Sequence, residues 1–307
     1  MNLPSVEGPK IGPFKLSRSK LNIKFIQEIG EGGDSWVWKV GIDDNIYALK
    51  MRQRFRELGI TDERAIFHAW DPFSNECRAY GRLKEIGKTE IAASCYGYLL
   101  LNTENNDSLD DADFTEIEWA ESRDWKHDME KQKAPVRCLV KEYIESEVSF
   151  SREMIPKMLR NLKFLHKYGI VHRDIRETNY REGLLVDFST SLTVPHYLLD
   201  VKLGYNQLEE IYDYEVEDGY AFDNMIDEWS ADNGIQIWQR FLPNFRYRKC
   251  LRSEHKGKEQ DLKSRPPTNA MLAARMEVHR KIRDRIKWHA ADYDWKKGIQ
   301  RKRRRTV

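Results

Sequence analysis

Short runs of alternating apolar and polar residues dominate the first part of the chain. The runs IKFIQEI, WVWKV and IYALKM, between residues 23 and 51, predict three strands that are separated by glycines and by the turn sequence GIDDN. ASCYGYLLL and VRCLVKEYI predict two more strands. The stretch PFSNECRAYGRLKEI has helical spacing, with Ser74 or Asn75 as its cap. The pattern therefore predicts a strand-rich segment over residues 23–143 with a glycine-rich first turn.

Helical spacing replaces this alternation in the segment from residue 144 to residue 242. EMIPKMLRNLKFLHKYGI forms a predicted amphipathic helix whose apolar face carries Met154, Met158, Leu159, Leu162 and Leu165. It leads into GIVHRDIRETNYREGLLVDFS, residues 169–189, in which charged groups surround an apolar run and a tight turn is expected near Glu182 and Gly183. The two patterns together predict an α+β fold with a strand-rich lobe followed by a helical lobe.

Composition sets limits on the class of protein. The chain has 307 residues, of which 40% are hydrophobic and 33% charged, which is typical of a folded protein. Its apolar runs are too short to cross a bilayer, and its first residues lack the apolar core of a signal peptide. The four cysteines form no CxxC pair and suit a reducing compartment. We therefore expect a soluble intracellular protein without a membrane partner.

Three further segments differ from this core in composition. Residues 1–22 are rich in proline, glycine and serine and predict an N-terminal arm, and residues 102–134 form a strongly acidic insertion. Residues 243–307 are basic and predict a helical or disordered region that ends in RKRRR, residues 301–305. This last run matches a nuclear localisation pattern, which favours the nucleus over the cytoplasm.

The basic C-terminal region has more than one possible partner. The run MLAARMEVHRKIRDRIKWH predicts a helix whose charge could bind nucleic acid or an acidic protein. It could equally dock on the chain's own acidic segments, near residues 104–130 or 209–228. No base-reading motif accompanies the run, so direct recognition of DNA is disfavoured.

Groups suited to phosphoryl transfer occur in a fixed order along the chain. Glycines in GEGGDSWV would let backbone N–H groups approach a phosphate, and Lys50, one strand later, could reach phosphates held there. Glu76, on the next predicted helix, could pair with that lysine. Further on, Asp174 could accept a hydroxyl proton, while Asn179 and Asp187 offer hard oxygen ligands for Mg²⁺.

The ordered set GEGGDSWV, YALK, SNECRAY, HRDIRETN and VDFS resembles a eukaryotic-type protein kinase over residues 23–190. The resemblance implies a bilobal fold, with a strand-rich N-lobe, a hinge and a helical C-lobe. It also implies ATP and Mg²⁺ as cofactors and the Ser/Thr hydroxyls of a protein as phosphate acceptors.

The same resemblance assigns roles to individual residues. It implies that Asp174 is the catalytic base, that Lys50 and Arg176 contact the phosphates, and that Asn179 and Asp187 hold the metal ions. The nucleotide contacts that it implies lie on the glycine loop, the following strand and helix, and the hinge: Gly30, Gly32, Gly33, Val37, Lys50, Glu76, Glu142 and Tyr143.

Several positions depart from the kinase pattern. Ser189 replaces the glycine after Asp-Phe, and Lys141 occupies the gatekeeper position, where its ammonium must find a carboxylate or water. No APE motif follows Asp187, so the C-lobe is expected to be truncated or atypical. DEWS, residues 227–230, resembles the start of the long central helix of that lobe.

A second resemblance bears on the role of the chain. PFSNECRAYGRLKE, VKEYI and VHRDIRETNY…LLVDFS…PH are similar to a fungal kinase-like family described as an inner-kinetochore subunit. Three functions therefore stay open. The first is an ATP- and Mg²⁺-dependent protein kinase-like phosphotransferase, the second a non-catalytic scaffold of a nuclear or kinetochore complex, and the third a small-molecule phosphotransferase.

Overall fold

The chain divides into two units, Met1–Glu147 and Val148–Val307, and the fold is mixed α+β. The computed structural model describes residues 8–15, 23–32, 35–52, 71–101, 136–203, 206–242 and 269–300. Gly33, the acidic insertion and the RKRRR run lie outside the described residues, as do parts of the predicted arm and of the basic C-terminal region.

A five-stranded antiparallel sheet forms the centre of the first unit, in the order β1-β2-β3-β5-β4. Its strands are β1 (Ile23–Gly32), β2 (Ser35–Ile42), β3 (Asn45–Arg52), β4 (Cys95–Leu101) and β5 (Val136–Glu142). All five strands predicted from the alternating pattern are present. Asp43 and Asp44, between β2 and β3, both have positive φ, which matches a tight hairpin turn.

The apolar positions of the predicted strands form the core of this sheet. Phe25 and Trp38 are buried and meet edge to face, with their ring centroids 5.7 Å apart. Val40, Leu49 and Val140 lie in the same cluster and are fully buried. Period-2 alternation therefore places one face of the sheet in the core, as the sequence predicts.

Helix α1 (Pro72–Glu85) packs with the sheet and carries Glu76. Its cap is Asp71, whose side chain accepts a hydrogen bond from the backbone N–H of Ser74 at 3.1 Å. The prediction of Ser74 or Asn75 as the cap is therefore wrong, because Pro72 suits the first helical position and moves the start of the helix toward the N-terminus.

Residues 8–15 of the predicted N-terminal arm pack on the first unit. The backbone N–H of Ile11 donates to the carbonyl of Cys77 at 3.1 Å. Gly81, on α1, lies so close to this segment that a Cβ there would be 2.4 Å from the backbone nitrogen of Lys10. This part of the arm is thus built into the unit.

The second unit contains three described helices and three pairs of two-residue strands. The helices are α2 (Ile155–Lys167), α3 (Leu208–Asp232) and α4 (Asn269–Arg283). The paired strands are β6 (Ile170–Val171) with β9 (Leu192–Thr193), β7 (Tyr180–Arg181) with β8 (Leu184–Leu185), and β10 (Tyr293–Asp294) with β11 (Ile299–Gln300). The tight turn expected at Glu182 and Gly183 joins β7 to β8, and both residues have positive φ.

Helix α3 begins well before the position that the sequence suggested. A capping box between Gln207 and Glu210 starts the helix, so DEWS lies near its end. The prediction that DEWS begins the long helix is therefore wrong. A glutamine cap within an acidic run carries a weaker start signal than serine or threonine, which explains the error.

The basic C-terminal region docks on the acidic helix α3. Arg283 lies 3.0 Å from the carboxylate of Asp213, and the buried His289 lies 3.1 Å from Glu215. This is one of the two intramolecular partners proposed from the sequence, while the other, in the acidic insertion, falls outside the described residues.

Candidate functional site

Lys50 and Glu76 form the ion pair expected from their order in the sequence. Lys50 points from β3 toward the middle of α1, where its Nζ lies 3.1 Å from Oε2 of Glu76. Both side chains are buried, with 4% and 0% of their surface exposed. Because a buried carboxylate is costly without a partner, this contact fixes both groups.

Glu76 also binds two further cations. Arg52 donates to its Oε2 at 3.0 Å, and Lys141 donates to its Oε1. The Lys141 ammonium lies 5.2 Å from the ring centroid of Tyr80 as well. Lys141, at the gatekeeper position, is therefore paired with a carboxylate, as its burial requires. The single carboxylate of Glu76 binds three cations.

The packing of the hairpin between β1 and β2 does not require glycine at position 30 or at position 32. Gly30 pairs with Val37 and Gly32 pairs with Ser35 in the ladder. A Cβ at Gly30 or Gly32 would lie 3.8 Å from its nearest neighbours, which is ordinary van der Waals contact. Neither glycine has a positive φ.

The side chains at the expected hinge have partners inside the first unit. Glu142 accepts a hydrogen bond from the backbone N–H of Ser94 at 3.0 Å through its carboxylate. Lys39 lies over the ring of Tyr143, 4.4 Å from its centroid. The backbone N–H of Glu142 likewise donates to the carbonyl of Ser94 at 2.8 Å, so these hinge groups are bonded within the first unit.

Asp174, Asn179 and Arg176 are brought together by one loop of the second unit. The amide nitrogen of Asn179 donates to the backbone oxygen of Asp174 at 2.8 Å and to its carboxylate at 2.9 Å. Arg176, which is 61% exposed, lies 3.2 Å from the same carboxylate. The loop holds Asp174 in one orientation from two sides.

Asp218, on α3, anchors this loop, and the sequence analysis missed it. Its carboxylate accepts the backbone N–H of His172 at 2.8 Å and of Arg173 at 2.7 Å, and lies 3.0 Å from Nε2 of His166. Arg173 has a φ of 67°, an uncommon conformation for this residue type that the anchor helps to hold. The signal was a carboxylate at helical spacing on the buried face of α3, between Glu215 and Phe222.

The segment after β8 places Asp187 beside the same loop. The backbone N–H of Ser189 donates to the Asp187 carboxylate at 2.8 Å. Phe188 is fully buried, and its ring centroid lies 5.2 Å from that of His172. Ser189 does not adopt a positive φ, so the position that departs from the kinase pattern does not require glycine here.

His172 is a neutral link between these two segments. Burial lowers the pKa of its imidazole, while the nearby carboxylates of Asp218, Asp187 and Asp174 act in the opposite direction. Its Nδ1 accepts a hydrogen bond from the backbone N–H of Asp174 at 3.3 Å. A neutral imidazole at this position joins the loop to Phe188 without adding charge.

The candidate metal ligands offer one amide and one carboxylate. Asn179 uses its amide nitrogen on Asp174, and its oxygen Oδ1 makes no hydrogen bond to any described residue. The described residues contain no group of three His, Cys, Asp or Glu side chains placed to hold a metal ion. Mg²⁺ is commonly held by one or two carboxylates together with water and substrate phosphates, so Asn179 and Asp187 suit it in chemical type.

Comparison with known proteins identifies the family. Residues 1–192 match the FTA2 family, described as "Kinetochore Sim4 complex subunit FTA2", and this is more than half of the 307 residues. No curated protein matches the chain. In the part that the structure describes, no helix has the length and apolar character needed to span a membrane. The match bears out the resemblance to a kinetochore family, whereas the wider resemblance to protein kinases stays a prediction. The chain therefore belongs to the FTA2 family of kinetochore Sim4 complex subunits.

Proposed function

We propose that this chain is a subunit of a kinetochore complex of the Sim4 type and acts there as a non-catalytic scaffold. The observation that carries the proposal is the family match over residues 1–192, which contains the whole sheet, α1, α2 and the loop around Asp174. A nuclear location follows from this role, and the RKRRR run at residues 301–305 supports it.

We propose a kinase-like framework for the two units. Support comes from the five-stranded antiparallel sheet with a helix that carries Glu76, in the first unit. In the second unit, support comes from the loop 172–179 and its anchor Asp218 on a long helix. The absence of an APE motif from the sequence agrees with a framework that lacks the usual platform for a peptide substrate.

The contacts of the candidate site favour assembly over turnover. Lys141 and Arg52 share the carboxylate of Glu76 with Lys50, so that carboxylate does not serve the candidate phosphate lysine alone. The candidate base Asp174 is in an ion pair with Arg176. Both carboxylates are therefore already paired within the chain, without a substrate.

Fluorescence microscopy tests this role. A tagged copy of the chain, expressed from its own promoter, is expected to form foci that coincide with a centromere marker. Asp174→Asn and Asp187→Asn variants should form the same foci, because a scaffold does not need either carboxylate for chemistry. Diffuse fluorescence of the wild-type chain contradicts the proposal, and foci that are lost only in the two variants favour an enzyme.

A second candidate function is ATP binding with phosphoryl transfer, and the buried Lys50–Glu76 pair favours it. Such a pair can orient a lysine toward nucleotide phosphates. The glycines at positions 30 and 32, which the hairpin does not need for packing, would let backbone N–H groups approach those phosphates. Bound Mg²⁺ would neutralise phosphate charge, with Asn179 and Asp187 as its protein ligands. Asp174 would accept the proton of the attacking hydroxyl.

Calorimetric titration of ATP, with and without Mg²⁺, tests this second candidate. Binding should weaken at least about tenfold in Lys50→Met and, when Mg²⁺ is present, in Asp187→Asn. Asp174→Asn should keep ATP binding but lose transfer from labelled ATP, and protein and small-molecule pools offered in parallel identify the acceptor. If the wild-type chain does not bind ATP, the scaffold function alone remains.

A further inference from the structure

The exposed charges of α2 all have the same sign. The helix sequence, IPKMLRNLKFLHK, contains no aspartate or glutamate. Lys157, Arg160 and Lys163 are exposed, and Lys167 is half-buried at the end of the helix. These side chains follow one another at intervals of three or four residues, so they line one side of the helix.

Three of these cations have no carboxylate partner within the described part of the chain. No ion pair joins Lys157, Arg160 or Lys163 to a described acidic residue. The neighbouring basic helix α4 differs in this respect, because Arg280 and Lys281 both pair with Glu277 on its own surface. The sequence singled out α4 as the candidate surface for a polyanion, but its charge is largely compensated, whereas that of α2 is not.

Aromatic rings hold the cations beside α2 in place. Lys163 lies 5.6 Å from the ring centroid of Phe241, and Lys167 lies 5.4 Å from that of Trp288. Lys287 lies 4.9 Å from the centroid of the same Trp288 ring. A cation–π contact orders an ammonium without cancelling its charge, so this surface stays positive and is partly preorganised.

The β10–β11 hairpin lies beside the end of α2. Strand β11 ends at Gln300, whose backbone pairs with Tyr293 in β10. The Tyr293 ring lies against that of Tyr168, just beyond the end of α2, with centroids 6.1 Å apart.

We propose that the α2 surface, consisting of Lys157, Arg160, Lys163, Lys167 and Lys287, binds the phosphate backbone of duplex DNA without reading its sequence. Ten residues separate Lys157 from Lys167, so the row spans about 15 Å, enough to follow several phosphates.

Duplex DNA fits this surface better than a single strand does. Phe164 and Tyr168 stack on each other with their centroids 6.2 Å apart, and Lys167 covers both rings. These rings are therefore not open platforms on which unpaired bases could stack. Phosphate contacts fix position but carry no sequence information, which agrees with the absence of a base-reading motif. The proposal does not depend on the kinetochore role or on nucleotide binding.

Fluorescence anisotropy with the full chain and a labelled duplex of about 20 base pairs tests the proposal. The triple variant Lys157→Gln/Arg160→Gln/Lys163→Gln removes three charges and keeps good helix formers on α2. The control Lys15→Gln/Lys24→Gln/Lys202→Gln removes three charges from exposed sites elsewhere. We expect the α2 variant to bind at least about tenfold more weakly at low salt, and the slope of log affinity against log salt to fall by about 2 to 3. The control should bind like the wild type.

The proposal also predicts the relative affinities of the chain for different probes. The duplex should bind more tightly than a single strand of the same length, and more tightly than a polyglutamate peptide of matched charge. Unchanged duplex binding by a folded α2 variant overturns the proposal. A preference for the single strand or for polyglutamate overturns it in favour of another partner.

Discussion

At the scale of single residues, the charge balance of the first unit depends on Glu76. It is fully buried and binds Lys50, Arg52 and Lys141, each of which is nearly buried itself. Three cations at one carboxylate are tolerated only while that carboxylate is ionised and in place. The sequence indicated the contact with Lys50. Arg52 lies two residues after Lys50 on the same strand, β3, and Lys141 comes from β5, which pairs with β3.

Glu76→Gln should therefore destabilise the protein strongly. We expect the free energy of unfolding to fall by about 3 to 5 kcal/mol, because the change leaves buried cations without their shared carboxylate. Urea-induced unfolding, followed by tryptophan fluorescence, measures the change. Glu90→Gln, which removes an exposed carboxylate paired with Lys88 in the same unit, should cost no more than about 1 kcal/mol. Equal effects of the two substitutions would show that the Glu76 cluster is not a stabilising centre.

Asp218 is the second residue with a role that a short motif does not reveal. Asp218→Ala should increase the hydrogen exchange rates of the His172 and Arg173 amides by at least about tenfold, because each loses a charge-assisted hydrogen bond. Asp227→Ala, which removes a carboxylate paired with Arg240 near the end of α3, is the matched control. The milder Asp218→Asn should give an intermediate increase. Unchanged protection in both Asp218 variants, or an equal loss of protection in the Asp227→Ala control, would contradict the anchoring role.

At the scale of elements, the sequence predicts those features that depend on residues close together in the chain. The five strands could be predicted because alternation and turn residues such as Asp43 and Asp44 act within a few positions. The sequence places Asp174 and Asn179 five residues apart in one candidate site, and their side chains are in contact, although that contact itself was not predicted. The Asp218 anchor lies 45 and 46 residues from its backbone partners, and Lys141 lies 65 residues from Glu76. Such contacts depend on how elements pack, and no local pattern encodes them.

The contact between α3 and the C-terminal segment should make stability depend on pH. Burial raises the pKa of Glu215 to about 8, while His166 and the backbone N–H of Ala290 act in the opposite direction. Because this pKa is higher in the folded state than the ordinary value of 4.5, the folded state binds the extra proton between these two values. The stability that Glu215 contributes is present at low pH and is lost as pH rises toward about 8.

Glu215→Gln should remove this dependence. Relative to the variant, the wild type should lose up to about 1.4 kcal/mol of stability per pH unit across the window. Calorimetric melting at a series of pH values measures the difference, and glutamine keeps an oxygen for the backbone N–H of Ala290, which donates to Glu215 at 2.7 Å. Parallel pH profiles of the two proteins would show that Glu215 is not protonated in the folded state.

At the scale of the whole molecule, the family match covers only the first part of the second unit. The match ends at residue 192, within β9, whereas α3, α4 and the β10–β11 hairpin complete the second unit. Asp218 on α3 holds the loop of the matched part. The Tyr293 side chain in turn lies against Gly169, where a Cβ would be 3.1 Å from that ring. The segments beyond the match thus support those within it.

Removal of residues 269–307 should therefore disrupt the second unit. The deletion takes away Arg283, His289 and Tyr293 and uncovers buried side chains of α3, including Ile211 and Glu215. We expect loss of cooperative thermal melting or of solubility. Removal of residues 301–307 alone should leave the melting temperature unchanged. If the longer deletion melts like the intact chain, the C-terminal segment is not part of the folded unit.

The central claim is that this FTA2-family chain works as a subunit of a kinetochore complex, with its kinase-like residues in structural roles. The most direct measurement is affinity purification of the tagged chain from its own cells, with the co-purifying proteins identified and quantified by mass spectrometry. We predict that other subunits of the Sim4-type complex co-purify in stoichiometric amounts with the wild type and equally with Asp174→Asn and Asp187→Asn. Recovery of the chain without any kinetochore protein would contradict the account.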